Sequence, residues 1–134
     1  MSIVRKAEYP HQIADVIKEY LKEGNLDGIV KMFHPECEIC MSLDEPAIKG
    51  RDGAREVFRD FAAKKAILTN EVTGEKIIGN TALLQGRWKM EDRDGNLLGE
   101  GISSEVAKQL EDGSWVYFID CPFGAPNFEK IPIQ

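Results

Sequence analysis

The sequence predicts a single α+β domain over residues 1–134, with helices on one face of an antiparallel sheet. The last third alternates in hydrophobicity as a three-strand meander, and the first half carries apolar stripes at helical spacing. Elements of one kind are grouped, helices early and strands late, rather than interleaved. A meander with one apolar face needs a cover, and the upstream helices supply it.

Tyr9-Pro10 leads into the first helix, whose face is Ile13, Ile17, Tyr20 and Leu21 and whose stop is Gly24. Asn25 or Asp27 caps the second, with the stripe Leu26, Ile29, Val30 and Phe33, and Pro35 ends it. Glu36 to Ser42 reads as a short strand, with Cys37, Ile39 and Met41 on one side. Leu43 to Gly50 is a loop. Asp52 caps a third helix near Gly53, with the stripe Ala54, Val57, Phe58, Phe61 and Ala62. Ala66 to Ile78 is a strand weakened at Gly74, and Gly79-Asn80 turns into the meander.

The first meander strand, Thr81 to Met90, puts Ala82, Leu84, Trp88 and Met90 on one face and Gln85, Arg87 and Lys89 on the other. Arg93-Asp-Gly-Asn96 turns the chain because Asp-Gly and Gly-Asn steps reach positive φ cheaply. Leu97 to Leu110 follows, then Glu111-Asp-Gly113 and a last strand, Trp115 to Cys121. The tail after Gly124, with Pro126 and Pro132, is expected to be an extended surface segment.

Composition narrows the function. The chain has 134 residues and a net charge of −6, with 17 basic against 23 acidic residues. That balance works against nucleic acid or an anionic membrane as partner, since both need clustered Lys and Arg. No apolar run has the length of a membrane span. The first residues are charged and broken by Pro10, unlike a secretory signal. Three cysteines without paired spacing fit a reduced, cytoplasmic protein.

The order helix, helix, strand, helix and four strands resembles that of the nuclear transport factor 2-like superfamily, in its SnoaL-like and ketosteroid isomerase-like branch. Gly24-Asn-Leu-Asp-Gly-Ile-Val-Lys-Met-Phe33 resembles the start of that family's second helix. Lys49-Gly-Arg-Asp-Gly-Ala-Arg-Glu-Val-Phe58 resembles the start of its third. Ser104-Glu-Val106, Asp112-Gly-Ser-Trp115 and Ile119-Asp-Cys-Pro-Phe-Gly124 resemble the ending of its uncharacterised bacterial members. The likeness covers about residues 9 to 124. It implies a cone-shaped, strongly curved antiparallel or mixed sheet, covered on its concave face by three N-terminal helices. It also implies a pocket between sheet and helices, and a homodimer across the sheet's outer face. In ketosteroid isomerase a Tyr and a protonated Asp form the oxyanion hole and an Asp is the base. Here the matching positions are Ile17, the region of Ser104 to Val106, and Met41. Two of the three cannot do that chemistry.

The candidate acid–base residues are Glu105, Tyr20 and Asp120. Tyr20 lies one turn beyond Ile17 and can replace the missing donor, or is an ordinary core tyrosine. Parity places Leu98, Ile102, Ser104, Val106 and Leu110 on the apolar face and Glu105 on the other, unless a bulge at Gly99 or Gly101 reverses the count. Asp120 shares parity with Val116 and Phe118, which favours a role in the Pro122–Gly124 turn or at a dimer interface. Candidate pocket residues are Met41, Phe58, Trp88, Met90, Ser104, Tyr117 and Phe123. Cys37 and Cys40, three apart on a strand, point to opposite faces and cannot share one metal ion. His11 and His34 sit at helix edges. No phosphate loop or nucleophile elbow is present, so neither cofactor nor metal is implied. The expected function is binding of a small apolar molecule, with isomerisation, cyclisation or dehydration as candidate chemistry. The alternative is a non-catalytic dimeric interaction module whose outer face carries Val116 and Phe118.

Overall fold

The computed structural model describes residues 5–42 and 45–124. The expectations for Leu43 and for the tail after Gly124 lie outside them. Ile13, Val16, Ile17, Tyr20 and Leu21 are buried at helical spacing and make α1 (Ile13–Glu23), preceded by a 3-10 turn at Pro10–Gln12. Gly24 closes α1 at φ 66°, a left-handed conformation that costs glycine little, and its N–H donates to the Leu21 carbonyl at 3.0 Å.

The second helix is shorter than its apolar stripe suggests: α2 spans only Leu26–Val30. Its start is as expected, with the Asn25 side chain accepting from the Gly28 N–H at 2.9 Å. Phe33 leaves the helix and opens β1 (Phe33–Ile39), where it is fully buried opposite Tyr117. Pro35 therefore sits inside a strand. The β1–β6 ladder is irregular between Phe33 and Glu38, which spares the proline from donating a bond.

Ile48–Lys49 form a two-residue strand β2 within the expected loop, and α3 runs Gly50–Ala63 with Lys49 rather than Asp52 at its cap. Only Ala54 and Ala62 of its apolar stripe are buried. Val57, Phe58 and Phe61 are half-buried, because they face a cavity instead of filled core. Then come β3 (Ile67–Ile78), β4 (Thr81–Glu91), β5 (Leu97–Gln109) and β6 (Trp115–Cys121).

The sheet has six strands in the order β2-β1-β6-β5-β4-β3. It is mixed: β1 and β6 run parallel and every other pair is antiparallel. Helices pack on one side, and the core joins Ile13, Leu21, Ile29 and Phe33 to Leu84 and Trp115. Register shifts interrupt four ladders, and each bulge bends its strand. The N-terminal segment is stitched to this frame. The Trp115 N–H donates to the Ala7 carbonyl at 2.9 Å, Lys6 pairs with Asp112 at 3.1 Å, and Arg5 reaches Glu23 at 3.4 Å.

Two bulges decide which side chains face the helices. Met90 pairs with Gly99 but Glu91 pairs with Leu97, so Leu98 is an extra residue in β5. From there the inward set is Gly99, Gly101, Ser103, Glu105 and Ala107, and Ile102 is 75% exposed. The unbulged parity, which put Glu105 outward and Ser104 inward, is thus reversed. In β6, Val106 pairs with Ile119 and Ala107 with Tyr117, which leaves Phe118 extra. Tyr117 and Asp120 consequently share the inner face. Val116, expected on the outer face, is buried at 2% exposure. Phe118 is half-buried, edge-on to His34 with ring centroids 5.0 Å apart.

Candidate functional site

Helices and sheet enclose a cavity of about 290 Å³. That volume stands at the small end of small-molecule pockets. Its apolar wall comes from α3, β3 and β4, through Val57, Phe58, Phe61, Leu68, Trp88 and Met90. Its polar wall comes from β5 and β6, through Ser103, Glu105, Tyr117 and Asp120. The exposed lining residues Glu71, Val72, Arg87 and Phe123 mark where it meets solvent.

The polar wall is set by register. Leu84, Glu105 and Asp120 are successive cross-strand partners on β4, β5 and β6, and Ile39 of β1 follows beside Asp120. Two carboxylates thus lie directly opposite each other, between two aliphatic side chains. Glu105 is 8% exposed. Burial lifts its carboxyl from the usual range to about 7, against a hydrogen bond from Ser103 that favours the charged form. Asp120 keeps some surface open to the cavity but sits deep among protein atoms. Burial first, and then the charge of Glu105, raise it to about 8. The pair titrates as a unit: the proton lost from one carboxyl leaves a charge that holds the proton on the other. Burial also raises the Tyr117 hydroxyl well above the ordinary phenol, helped by the charges of Glu105, Asp120 and Asp15. Neither the Asp120 carboxylate nor the Tyr117 hydroxyl has a hydrogen-bond partner among the described residues.

One rim of the cavity is a strap. The Trp88 indole N–H donates to the Pro122 carbonyl at 2.7 Å, and the Trp88 and Phe123 rings lie 5.7 Å apart. Gly101 permits this approach: a Cβ there would stand 2.6 Å from the Pro122 oxygen.

The structure brings Glu105, Asp120, Met41, Phe58, Trp88, Met90, Tyr117 and Phe123 to the one cavity. It does not bring Ser104 or Tyr20 there. Ser104 sits on the other face, opposite Gln85, for the reason of the bulge. The Tyr20 hydroxyl is used elsewhere: it accepts from the Arg5 N–H at 2.7 Å and donates to the Arg5 carbonyl at 3.2 Å. Ser103, which the sequence reading passed over, takes the place assigned to Ser104. Only the paired glycines Gly99 and Gly101, a bulge signal, pointed to it.

His11 bonds Glu75 at 2.9 Å outside the cavity. The Cys40 thiol hydrogen-bonds Cys121 rather than meeting Cys37, and burial raises Cys121 to about 12. Among the described residues no three of His, Cys, Asp and Glu gather as a metal-ligand set. Among them, too, no helix is long and apolar enough to cross a membrane.

No protein-family model matches the chain, and no curated protein matches it. Solved structures do. An NTF-2 like protein of unknown function from Shewanella oneidensis MR-1 shares 15% identity at a TM-score of 0.68, over 83% of this chain and 93% of that one. A domain of unknown function with a cystatin-like fold from Nostoc punctiforme shares 13% at a TM-score of 0.65, over 83% and 72%. A ketosteroid isomerase-like protein from Erwinia carotovora atroseptica shares 13% at a TM-score of 0.59, over 84% and 90%. At such identities the likeness shows the fold alone. The chain has the cystatin-like α+β fold of nuclear transport factor 2-like proteins.

Proposed function

We propose that the cavity binds a small, largely apolar molecule and that Glu105 and Asp120 act on it as an acid–base pair. The observation that carries this reading is the placement of two opposed, desolvated carboxyls on the wall of an otherwise apolar cavity. Near neutral pH the pair holds about one proton, so one group can donate while the other accepts. Tyr117 supplies a second donor beside them. This suits isomerisation, cyclisation or dehydration of a compound with a carbonyl or hydroxyl, and the ketosteroid isomerase-like neighbour carries the same fold. An interaction module with a vestigial pocket has no need of such a pair.

The test is a panel of apolar cyclic ketones, read by thermal shift and by hydrogen–deuterium exchange at the α-carbon. A binder raises the melting temperature by mass action. Exchange should follow a bell-shaped pH profile whose limbs fall near the pair's values of about 7 and about 8. No shift and no exchange across the panel would defeat the reading.

We propose in addition that the outer sheet face joins two copies as a homodimer. Leu83 is 53% exposed and Ile102 75%, and Val106 and Ile119 lie in the same cross-strand row as Leu83.

A further inference from the structure

The polar wall of the cavity is rich in acceptors and, among the described residues, holds no cation. Among the described residues no Lys, Arg or His acts on either carboxylate. The titratable groups that share their surroundings are Tyr117 on β6, Asp15 on α1, and the thiols of Cys37, Cys40 and Cys121. All of these are neutral or acidic. The guanidinium of Arg51 acts on Cys37, beside β1. Arg87 sits at the cavity's exposed edge and faces Glu71 at 3.9 Å. A buried carboxylate pair with no counter-charge is costly, and a cation that binds between the two recovers that cost.

A second, separate observation points to the same ligand. Tyr117 is 9% exposed, lines the cavity and offers a phenol oxygen that no group among the described residues uses. An ammonium group has three N–H donors. The wall has three acceptors to meet them: the two carboxylates and this oxygen. The opposite wall is aromatic, through Phe58, Phe61 and Trp88, and ring faces attract cations as well as apolar groups.

We propose that this cavity selects hydrophobic primary amines, small ring compounds that place a protonated amine between Glu105 and Asp120 with the ring against Trp88 and the α3 phenylalanines. The proposal rests on the reading of the cavity as the ligand site. It narrows the ligand to one class. The proton balance is simple. The amine arrives as an ammonium ion, and the proton shared by the pair leaves to solvent.

The probes are tryptamine, its neutral isostere 3-propylindole and the neutral ketone 4-phenyl-2-butanone, titrated by calorimetry into the full chain at pH 7. Tryptamine is expected to bind at least about tenfold more tightly than 3-propylindole. Repeating the titration in two buffers of different ionisation enthalpy should show net proton release on amine binding only. The double variant Glu105→Gln, Asp120→Asn keeps the shape and removes the charge. It should lose about tenfold or more for tryptamine and stay within about twofold for 3-propylindole, which also shows that the variant folds. Equal affinity for amine and isostere in the native chain, or amine binding without proton release, would overturn the proposal. Binding of the ketone but not the amine would overturn it and leave the acid–base reading standing. Binding of none of the three would overturn it as well, and the cyclic-ketone panel then decides the acid–base reading on its own.

Discussion

Glu105 shows how one residue sets a pH response. Its carboxyl is at about 7 in the fold and near 4.5 when unfolded. The native state thus holds the proton more tightly, and stability falls as pH rises between those values. The loss is complete above the folded value. Glu105→Gln removes this carboxyl's share of the titration and leaves that of Asp120, so it should stabilise the protein at pH 8 by about 1–3 kcal/mol and change little at pH 4. Urea denaturation at the two pH values checks the sign. Tyr20 makes a contrasting case. Tyr20→Phe deletes both bonds to the Arg5 backbone and should cost about 1–2 kcal/mol in the same assay. Because the hydroxyl lies away from the cavity, ligand binding should not change. Sequence spacing placed Tyr20 on the correct face of α1, but it carried no sign of the Arg5 backbone that occupies the hydroxyl.

At the scale of elements, strands without bulges were legible and strands with them were not. The inward residues of β4, Ala82, Leu84, Trp88 and Met90, follow from alternation alone, because its side of the ladder carries no extra residue over that span. In β5 and β6 the extra Leu98 and Phe118 shift the count by one, which moves Glu105 and Asp120 inward and Ser104 outward. Such a shift is fixed by which partner strand a residue meets, a long-range fact that a local pattern does not hold. Phe33 was misplaced for a related reason: its apolar spacing suits a helix, but burial against Tyr117 draws it into β1. The strap gives an element-level prediction. Gly101→Ala drives a methyl toward the Pro122 carbonyl and should break the Trp88 bond, with a loss of about 1–3 kcal/mol. A lower melting temperature and altered tryptophan emission would register it. Unchanged values for both would mean the strap gives way without strain.

For the whole molecule, the arrangement divides labour between the two sheet faces. The inner face holds the cavity and its carboxyls, and the outer face exposes Leu83 and Ile102. Light scattering at low micromolar concentration should give the mass of a dimer. The double variant Leu83→Lys, Ile102→Lys should give a monomer, because charges at the centre of an apolar contact are costly to desolvate. A native chain that stays monomeric would count against that use of the face. Loss of the dimer should leave the melting response to cavity ligands intact, since neither residue lines the cavity.

The stitching of the N-terminal segment has a practical consequence. An aminopeptidase that trimmed the chain past Ala7 would strip the acceptor from the Trp115 amide and the Arg5 backbone from Tyr20 in one pass. The damage would begin at the first residue of the strand that carries Tyr117 and Asp120, so nibbling at one end of the polypeptide would be felt at the acidic wall.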